Sequence, residues 1–159
     1  LEAMNRWFGF ARDAEIAIEI DPRGISPERA REFAGLGVSR VSFGVQDFDA
    51  TVQAKINRIQ PYQQVAAVID SFRAAGIAAI NFDLMYGLPS QTIASVEKTA
   101  RLAAGLRPQR IAVFGYAHVP WFKKHQQMIR SEYLPGVEAR IAQARAAISR
   151  AIRRMRRTR

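Results

Sequence analysis

The sequence predicts an α/β fold of about four parallel strands with outer helices, arranged as a partial (β/α) barrel. Four apolar runs each end in a polar side chain, helix-like stretches separate them, and each run has one aliphatic and one polar face. The alternation of strand and helix indicates right-handed βαβ units and a parallel sheet. The unequal faces favour a barrel arc over a sheet that is apolar on both sides. The runs are Glu15–Asp21, Arg40–Asp47, Ile77–Tyr86 and Gln109–His118, and the predicted fourth strand lies within the last run, over Ile111–Tyr116.

The apolar runs alternate in the way that half-buried strands do. In the first run, Ile16, Ile18 and Ile20 share one face and Glu19 lies on the other. The carboxyl ends of parallel strands meet at one rim, so we expect the polar strand endings to lie together there. The polar faces of the second and third runs carry Ser42, Gly44, Gln46, Asn81 and Asp83.

Helix start and stop signals lie between the predicted strands. Ser26 suits the N-cap and Pro27 the first position of a helix. Pro61 opens a longer helix whose apolar residues recur at helical spacing, and Gly76 closes it. The predicted helices cover residues 26 to about 35 or 37, 50–57, 61–75, 92–104 and 136–155.

Composition limits the classes of protein that the chain can represent. At 159 residues, 48% of them apolar, it is long enough for one domain with a core. No apolar run approaches the ~20 residues of a membrane span, and no signal peptide is evident. We therefore expect a cytoplasmic protein with no membrane partner. The chain begins with Leu1 rather than Met, which suggests that it was trimmed from something longer.

The net charge of +10 arises at the C-terminus. Every acidic residue lies at or before Glu138, and eight arginines follow it. A basic tail can bind nucleic acid through its charge, but no aromatic residue is interleaved with these arginines, so we do not expect a nucleic-acid partner. The sequence therefore predicts two parts, a barrel arc over residues 1–135 and a basic C-terminal helix or tail over residues 136–159.

The polar strand endings are the candidate binding residues. Glu19 and Asp83 are carboxylates near the ends of buried strands, where a charge needs a partner or a ligand. They could pair with Arg23 or Arg58, or they could bind hydroxyl or amino groups of a ligand. The amide of Gln46 can both donate and accept hydrogen bonds.

The remaining motifs do not define a catalytic or metal site. Arg58 could pair with Asp47 or grip a ligand carboxylate with its guanidinium. His118 follows the fourth strand, near Trp121 and two lysines, but nothing supplies a nucleophile–base–orienter set. The histidines lack metal-ligand spacing, and there is no phosphate-binding loop. We therefore predict no catalytic residue and no metal ligand, and the residues alone indicate a ligand-binding arc of an α/β barrel.

Five motifs appear in order along the chain: Ile18–Arg23, Ser42–Phe48, Asn57–Gln60, Asn81–Pro89 and Val113–Pro120. Together they resemble the middle of the oxygen-independent coproporphyrinogen III oxidases, a family of radical S-adenosylmethionine enzymes. The resemblance covers about residues 16–135 and corresponds to strands three to six of the family barrel. The Gln-Asp-Phe and Tyr-Ala-His-x-Pro sequences favour the oxidases over the related haem chaperones.

The resemblance implies an oxidoreductase of porphyrin and haem biosynthesis. Such an enzyme uses a [4Fe-4S] cluster, an electron donor and two S-adenosylmethionine molecules. It decarboxylates two propionates of coproporphyrinogen III to vinyl groups, which gives protoporphyrinogen IX. On the matching positions, Glu19 would contact the cluster-bound S-adenosylmethionine. The second molecule would contact Gln46, Arg58, Asp83 and Ala117.

The chain departs from the family pattern in several respects. It has no cysteine, so it cannot supply the thiolates of an iron–sulfur cluster. The Gly-rich segment of the second barrel strand and the C-terminal substrate-covering domain are also absent, and the resemblance is expected to fade after about Ala144. We expect a central fragment with a non-family continuation that is inactive on its own. Two alternatives stay open: a non-catalytic barrel fragment and a relative of the haem chaperones.

Overall fold

The computed structural model describes residues 1–156 of the 159, apart from the side chains of His125, Arg154 and Arg156. Its centre is a four-stranded sheet in the order β1-β2-β3-β4, with every neighbouring pair parallel. This confirms the predicted arc of parallel strands. The strands are β1 Ala17–Ile20, β2 Arg40–Gln46, β3 Ala79–Tyr86 and β4 Arg110–Gly115.

Helices connect the strands as the βαβ pattern requires. Helix α2 links β1 to β2, α3 and α4 link β2 to β3, and α5 links β3 to β4. Two short 3-10 helices, Lys124–Met128 and Ser131–Tyr133, lie between β4 and the last helix. None of the described helices combines the length and the apolar character that crossing a bilayer requires. The α-helices are α1 Glu2–Phe8, α2 Pro27–Gly35, α3 Ala50–Lys55, α4 Tyr62–Ala74, α5 Ile93–Gly105 and α6 Val137–Arg156.

Side-chain caps explain where helices α2 and α5 begin. The Ser26 hydroxyl accepts a hydrogen bond from the Arg29 backbone N–H at 3.3 Å. Thr92 and Ser95 form a reciprocal capping box at the start of α5. Helix α1 was not predicted, because its sequence is mixed and no side chain caps its N-terminus.

The core lies on the helix-covered face of the sheet. The strand register sets Ile20, Phe43 and Phe82 side by side there, and all three are buried. Phe72 of α4 packs edge-to-face on Phe43, with ring centroids 5.5 Å apart. Burial of each such large apolar side chain contributes roughly 1.5–3 kcal/mol to the stability of the fold. The opposite face carries the small and polar residues, as the sequence predicts.

Helix α6 packs against α5 and the carboxyl ends of β3 and β4. The buried Gln143 accepts a hydrogen bond from the Gly87 backbone N–H at 3.0 Å and donates to the Gln91 carbonyl at 2.7 Å. Arg140 donates to the carbonyl of Tyr116 at 2.7 Å. Through these bonds α6 covers the ends of two strands. The division of the chain near residue 135 stays a prediction, and positions 157–159 of the tail lie outside the described residues.

Candidate functional site

The polar strand endings converge at the carboxyl edge of the sheet, on the face opposite the helices. The register places Glu19 and Asp83 in neighbouring rows of this one face. Gln46 ends β2, and Arg58 reaches back to the same strand from the turn after α3. The structure therefore brings together four of the five residues that the sequence singles out as ligand-binding.

Glu19 and Asp83 are carboxylates with no bonded cation among the described residues, although Glu19 lies close enough to Arg58 for the two charges to interact. Glu19 is exposed, Asp83 is partly buried, and neither has a hydrogen bond or an ion pair with a described residue. Burial, followed by the negative charge of Glu19, raises the pKa of the Asp83 carboxyl above its ordinary value. Arg23 and Arg58, the partners considered from the sequence, both bind Asp21 instead. A ligand that brings hydrogen-bond donors or positive charge would relieve the repulsion between the Glu19 and Asp83 carboxylates.

Arg58 is held from two sides. Its Nη1 lies 3.2 Å from Oδ2 of Asp21, and its Nη2 donates to the carbonyl of Gly44 at 2.8 Å. Its Nε is buried and has no hydrogen-bond partner among the described residues. Burial lowers the pKa of the guanidinium from its ordinary value. The alternative in which Arg58 pairs with Asp47 is wrong, because Asp47 has other partners.

Asp47 is fully buried and serves the fold. Its carboxylate accepts hydrogen bonds from Gln91 Nε2 at 2.5 Å, from Thr99 Oγ1 at 2.7 Å and from the Asp49 backbone N–H at 2.6 Å. Burial raises the pKa of this carboxyl. Thr99 and Gln91 tie the end of β2 to α5 and to the turn before α5, and the Asp49 N–H closes a local turn, so the backbone next to Gln46 is fixed.

A β-bulge at the end of β2 positions Gln46. The register shifts between Gly44 and Gln46, and Gln46 has a φ of 63° in the left-handed region, which is uncommon for a residue other than glycine. A Cβ atom on Gly44 would lie 3.0 Å from Nε2 of Gln46 and 3.3 Å from Nη2 of Arg58. A larger residue at this position would therefore displace both side chains over the strand.

Ala117, the fifth residue, lies at the same edge beyond β4. It is exposed, and its carbonyl accepts a hydrogen bond from Gln126 Nε2 at 3.2 Å. Strands β1 and β4 are at opposite ends of the sheet order, so Glu19 and Ala117 mark the two ends of the carboxyl edge. Ala117 therefore shares the edge with the other four residues, one strand beyond Asp83.

Two hollows lie near the sheet, and one of them adjoins the site. A cavity of about 330 Å³ lies between the turn before Arg58 and the segment after β4. Its lining residues are Lys55, Ile56, Asn57, Met128 and Ile129. A groove of about 430 Å³ runs along α6 and includes Tyr86. None of the five candidate residues lines either hollow; the cavity adjoins the site because Asn57 immediately precedes Arg58, and the groove along α6 is not assigned to it.

The sequence interpretation missed two contributors to the site. Asp21 was treated as part of a turn, yet it is the partner of Arg58. Gly44 was placed on the polar face without a role, yet it makes space for two site side chains. A glycine inside a strand is a signal of a bulge or a close approach, and this signal could have found Gly44.

The donor set suits a zwitterionic, hydroxyl-rich ligand. The two carboxylates accept hydrogen bonds from ammonium or hydroxyl groups, Arg58 binds carboxylates, and Gln46 serves either kind of group. The same set does not suit an iron–sulfur cluster, since the chain has no cysteine. Among the described residues there is also no group of three or more His, Asp or Glu side chains that could hold a metal. No reaction step can be derived through a cluster on this chain.

Comparison with protein families identifies the domain type. The family described as the Radical SAM superfamily matches residues 2–103, which is well over half of the chain. The solved structure of coproporphyrinogen III oxidase (HemN) from Escherichia coli, described as a radical SAM enzyme, is 35% identical with a TM-score of 0.90. The match covers 96% of this chain and 35% of that one. The predicted partial barrel of the radical SAM type is thereby confirmed.

Curated relatives cover most of the chain. The oxygen-independent coproporphyrinogen III oxidase of Bradyrhizobium diazoefficiens is 52% identical over 153 residues, which is 96% of this chain and 34% of the relative. The corresponding protein of Helicobacter pylori is 44% identical over 140 residues, covering 88% of this chain and 31% of the relative. The chain thus spans about a third of the length of these relatives. The match to the Bradyrhizobium protein leaves few residues of this chain uncovered and extends past Ala144. The expected loss of family resemblance after Ala144 is therefore not seen with this relative.

Proposed function

Because the chain belongs to the Radical SAM superfamily, we propose that it is the S-adenosylmethionine-binding arc of an oxygen-independent coproporphyrinogen III oxidase. The observation that carries the proposal is the set of polar groups at the carboxyl edge of β1, β2 and β3, of which Glu19 and Asp83 have no hydrogen bond or ion pair with a described residue. The similarity in sequence and fold to coproporphyrinogen III oxidases supports the class of reaction. The family implies both S-adenosylmethionine and a [4Fe-4S] cluster, and this chain has no cysteine for the latter.

The polar groups suit the ends of S-adenosylmethionine. Arg58 pairs with the ligand carboxylate through its guanidinium. Asp83 and Glu19 accept hydrogen bonds from the ammonium group or the ribose hydroxyls, which offsets the repulsion between the two carboxylates. We assign Glu19 to one S-adenosylmethionine molecule and Gln46, Arg58, Asp83 and Ala117 to a second one.

The proposed substrate of the whole enzyme is coproporphyrinogen III, two propionates of which become vinyl groups to give protoporphyrinogen IX. Bound S-adenosylmethionine supplies the hydrogen-abstracting chemistry of the superfamily. This chain's own residues hold and orient the cofactor, and the reaction needs an electron donor and cluster thiolates in addition. We also propose that residues 1–135 form the barrel arc and residues 136–159 a separate basic C-terminal helix or tail, whose described part is α6.

Binding of S-adenosylmethionine to the purified chain tests the proposal. Equilibrium dialysis should show saturable binding, and the double variant Glu19→Gln/Asp83→Asn should bind about tenfold more weakly or worse. The double variant Glu28→Gln/Asp70→Asn removes two exposed carboxylates on α2 and α4 and should leave the affinity unchanged. An absence of saturable binding, or the same loss in both double variants, would contradict the proposal.

The missing cysteines give a second test. After anaerobic incubation with iron, sulfide, reductant and S-adenosylmethionine, we expect no deoxyadenosine and no decarboxylated porphyrinogen from the chain alone. The oxidase of Bradyrhizobium diazoefficiens, treated identically, is the positive control. Deoxyadenosine formed by the purified chain would overturn this expectation. Stoichiometric haem binding without decarboxylation would instead favour the haem-chaperone alternative.

A further inference from the structure

We propose that Val119–Met128, called the rim segment, is a porphyrinogen-binding platform. Trp121 and Phe122 contact the tetrapyrrole ring, and Lys123 and Lys124 pair with its carboxylates. The inference rests on the proposed function, which supplies the class of substrate. It assigns a role to an exposed segment that the cofactor site does not use.

Hydrogen bonds at its base build the rim segment into the fold. The buried Gln126 accepts from the Val119 backbone N–H at 2.6 Å and donates to the Ala117 carbonyl at 3.2 Å. The backbone N–H groups of Phe122 and Lys123 both donate to the Val119 carbonyl at 2.9 Å. The aromatic side chains therefore project from a turn whose backbone is hydrogen-bonded in place.

The rim segment exposes large apolar side chains. The exposed fractions are 81% for Trp121, 73% for Phe122 and 76% for Met128. Isolated exposed apolar residues are ordinary, but several of them on one short segment are typical of a binding surface. Aromatic rings also provide flat faces on which another ring system can stack.

The charges beside the aromatic residues are positive and available. Lys123 and Lys124 are exposed, and neither forms an ion pair with a described residue. The Nζ of Lys123 lies 5.0 Å from the centroid of the Phe122 ring, so cation and aromatic face are adjacent. Between Glu97 and Glu132 the sequence contains no acidic residue. An anionic ligand at this segment therefore meets no local negative charge from the same stretch of chain.

The rim segment adjoins the proposed cofactor site. It follows β4 at the carboxyl edge of the sheet and is anchored to Ala117, one of the candidate ligand-binding residues. At its other end, Met128 lines the same 330 Å³ cavity as Asn57, which immediately precedes Arg58. A substrate held by the rim segment would thus lie beside the groups proposed to hold the cofactor.

The chemistry of the platform matches one class of ligand. Coproporphyrinogen is a macrocycle of four pyrrole rings joined by methylene bridges, and it carries four carboxylate arms, so its recognition needs apolar contacts to pyrrole faces and cations close together. Two aromatic side chains followed directly by two lysines provide both. A nucleic-acid surface would need a larger array of cations, and a membrane-binding helix a longer apolar face. Charge complementarity therefore favours an amphipathic polycarboxylate.

Titration with coproporphyrin III, the fluorescent and air-stable oxidised form of the substrate, tests the platform. Fluorescence anisotropy measures its Kd for the full chain. Trp121→Ala should weaken binding about fivefold or more, as expected for a central aromatic contact. Lys123→Ala/Lys124→Ala should weaken it similarly and reduce its dependence on salt. Because these side chains are exposed, the variants should fold like the wild type.

The chain offers matched controls for both substitutions. Trp7, the other tryptophan of the chain, lies on α1 and is 80% exposed. Trp7→Ala should leave the affinity for coproporphyrin III unchanged. Lys98→Ala/Arg101→Ala removes two exposed cations from α5 and should also have no effect. Equal losses in the control variants would mean adsorption of the porphyrin to any apolar or basic surface, and would overturn the proposal.

Binding of S-adenosylmethionine to the same variants separates this proposal from the proposed function. Trp121→Ala should bind S-adenosylmethionine within about twofold of the wild type. If coproporphyrin III binding depends on Trp121 but S-adenosylmethionine does not bind, the cofactor site fails and the platform stands. If S-adenosylmethionine binds and coproporphyrin III does not, or binds independently of the rim segment, the platform is wrong.

Discussion

The carboxylate of Asp21 and the guanidinium of Arg58 form an ion pair of 3.2 Å that joins the end of β1 to the turn after α3. Asp21 also pairs with Arg23 at 2.6 Å, and Arg58 also donates to the carbonyl of Gly44. Arg58 is thereby fixed in one orientation, with its Nε left without a described partner. A residue outside the predicted binding set thus controls the orientation of one inside it.

The first prediction concerns this ion pair. Asp21→Asn should lower the affinity for S-adenosylmethionine about tenfold, which corresponds to about 1.4 kcal/mol, because Arg58 loses the charge that orients it. Stability should change by less than about 1 kcal/mol, since the pair is partly solvent-exposed. Isothermal titration and urea unfolding measure the two effects. Asp21→Glu should recover part of the affinity.

The exposed Glu28–Arg31 pair on α2 is the control for that experiment. Glu28→Gln should alter neither the affinity nor the free energy of unfolding appreciably. An unchanged affinity in Asp21→Asn would show that Asp21 does not position Arg58.

The second prediction concerns the pH dependence of stability at Asp83. Burial and Glu19 raise its pKa, so the folded chain binds this proton more tightly than the unfolded chain does. The free energy of unfolding therefore falls as pH rises from the ordinary aspartate pKa through the higher folded value. Asp83→Asn removes the free-energy cost of ionising this carboxyl in the folded chain. At pH 7 the variant should therefore be more stable than the wild type, and the difference in free energy of unfolding should shrink towards pH 4.

Urea unfolding of both proteins at several pH values measures that difference. Asp70→Asn, a change at an exposed position of α4, is the control and should show no such trend. The same Asp83→Asn variant should bind S-adenosylmethionine about tenfold more weakly, because a stability gain at a binding site commonly accompanies a loss of function. A variant less stable than the wild type at pH 7 would contradict the prediction.

The third prediction concerns the space above Gly44. In Gly44→Ala the new Cβ would meet Gln46 Nε2 at 3.0 Å and Arg58 Nη2 at 3.3 Å, so both side chains must shift. Since these atoms are the ends of flexible side chains, we expect the fold to survive and the affinity for S-adenosylmethionine to fall about tenfold. Thermal unfolding and equilibrium dialysis check the two parts.

Gly35→Ala is the matched control, because a Cβ at this helical position meets no heavy atom within 4 Å. It should leave ligand binding unchanged and could raise stability by roughly 0.5–1 kcal/mol. Equal affinity in Gly44→Ala and the wild type would show that neither displaced side chain holds the ligand.

The fourth prediction concerns the buried carboxylate of Asp47. Asp47→Ala leaves the donors of Gln91, Thr99 and Asp49 without their shared acceptor, which should cost about 3 kcal/mol of stability. Asp47→Asn retains one carbonyl acceptor and should cost less. Asp70→Ala is an exposed control with little expected effect. If urea unfolding showed Asp47→Asn to be less stable than Asp47→Ala, lost hydrogen bonds would not be the cause of the destabilisation.

Local pattern explains why much of the fold was predictable. The alternating isoleucines of the first strand and the Ser26 cap act within a few residues, and the structure confirms them. Strand ends were less predictable: β1 begins at Ala17 rather than Glu15, because hydrogen-bonded pairing with β2 starts there. Helix α1 has no local signal of comparable strength and was missed. The roles of the five candidate residues in ligand binding stay predictions.

The sequence by itself determined that the strands run parallel and that Glu19, Gln46 and Asp83 share one edge, because both follow from periodicity and from chain connectivity. Only the tertiary structure decided which charges pair. Asp47 lies nearer to Arg58 in the chain than Asp21 does, yet Asp47 is buried against α5 while Asp21 lies at the end of the neighbouring strand. Pairing depends on distances between remote segments and on which groups lose water, and no local pattern encodes either.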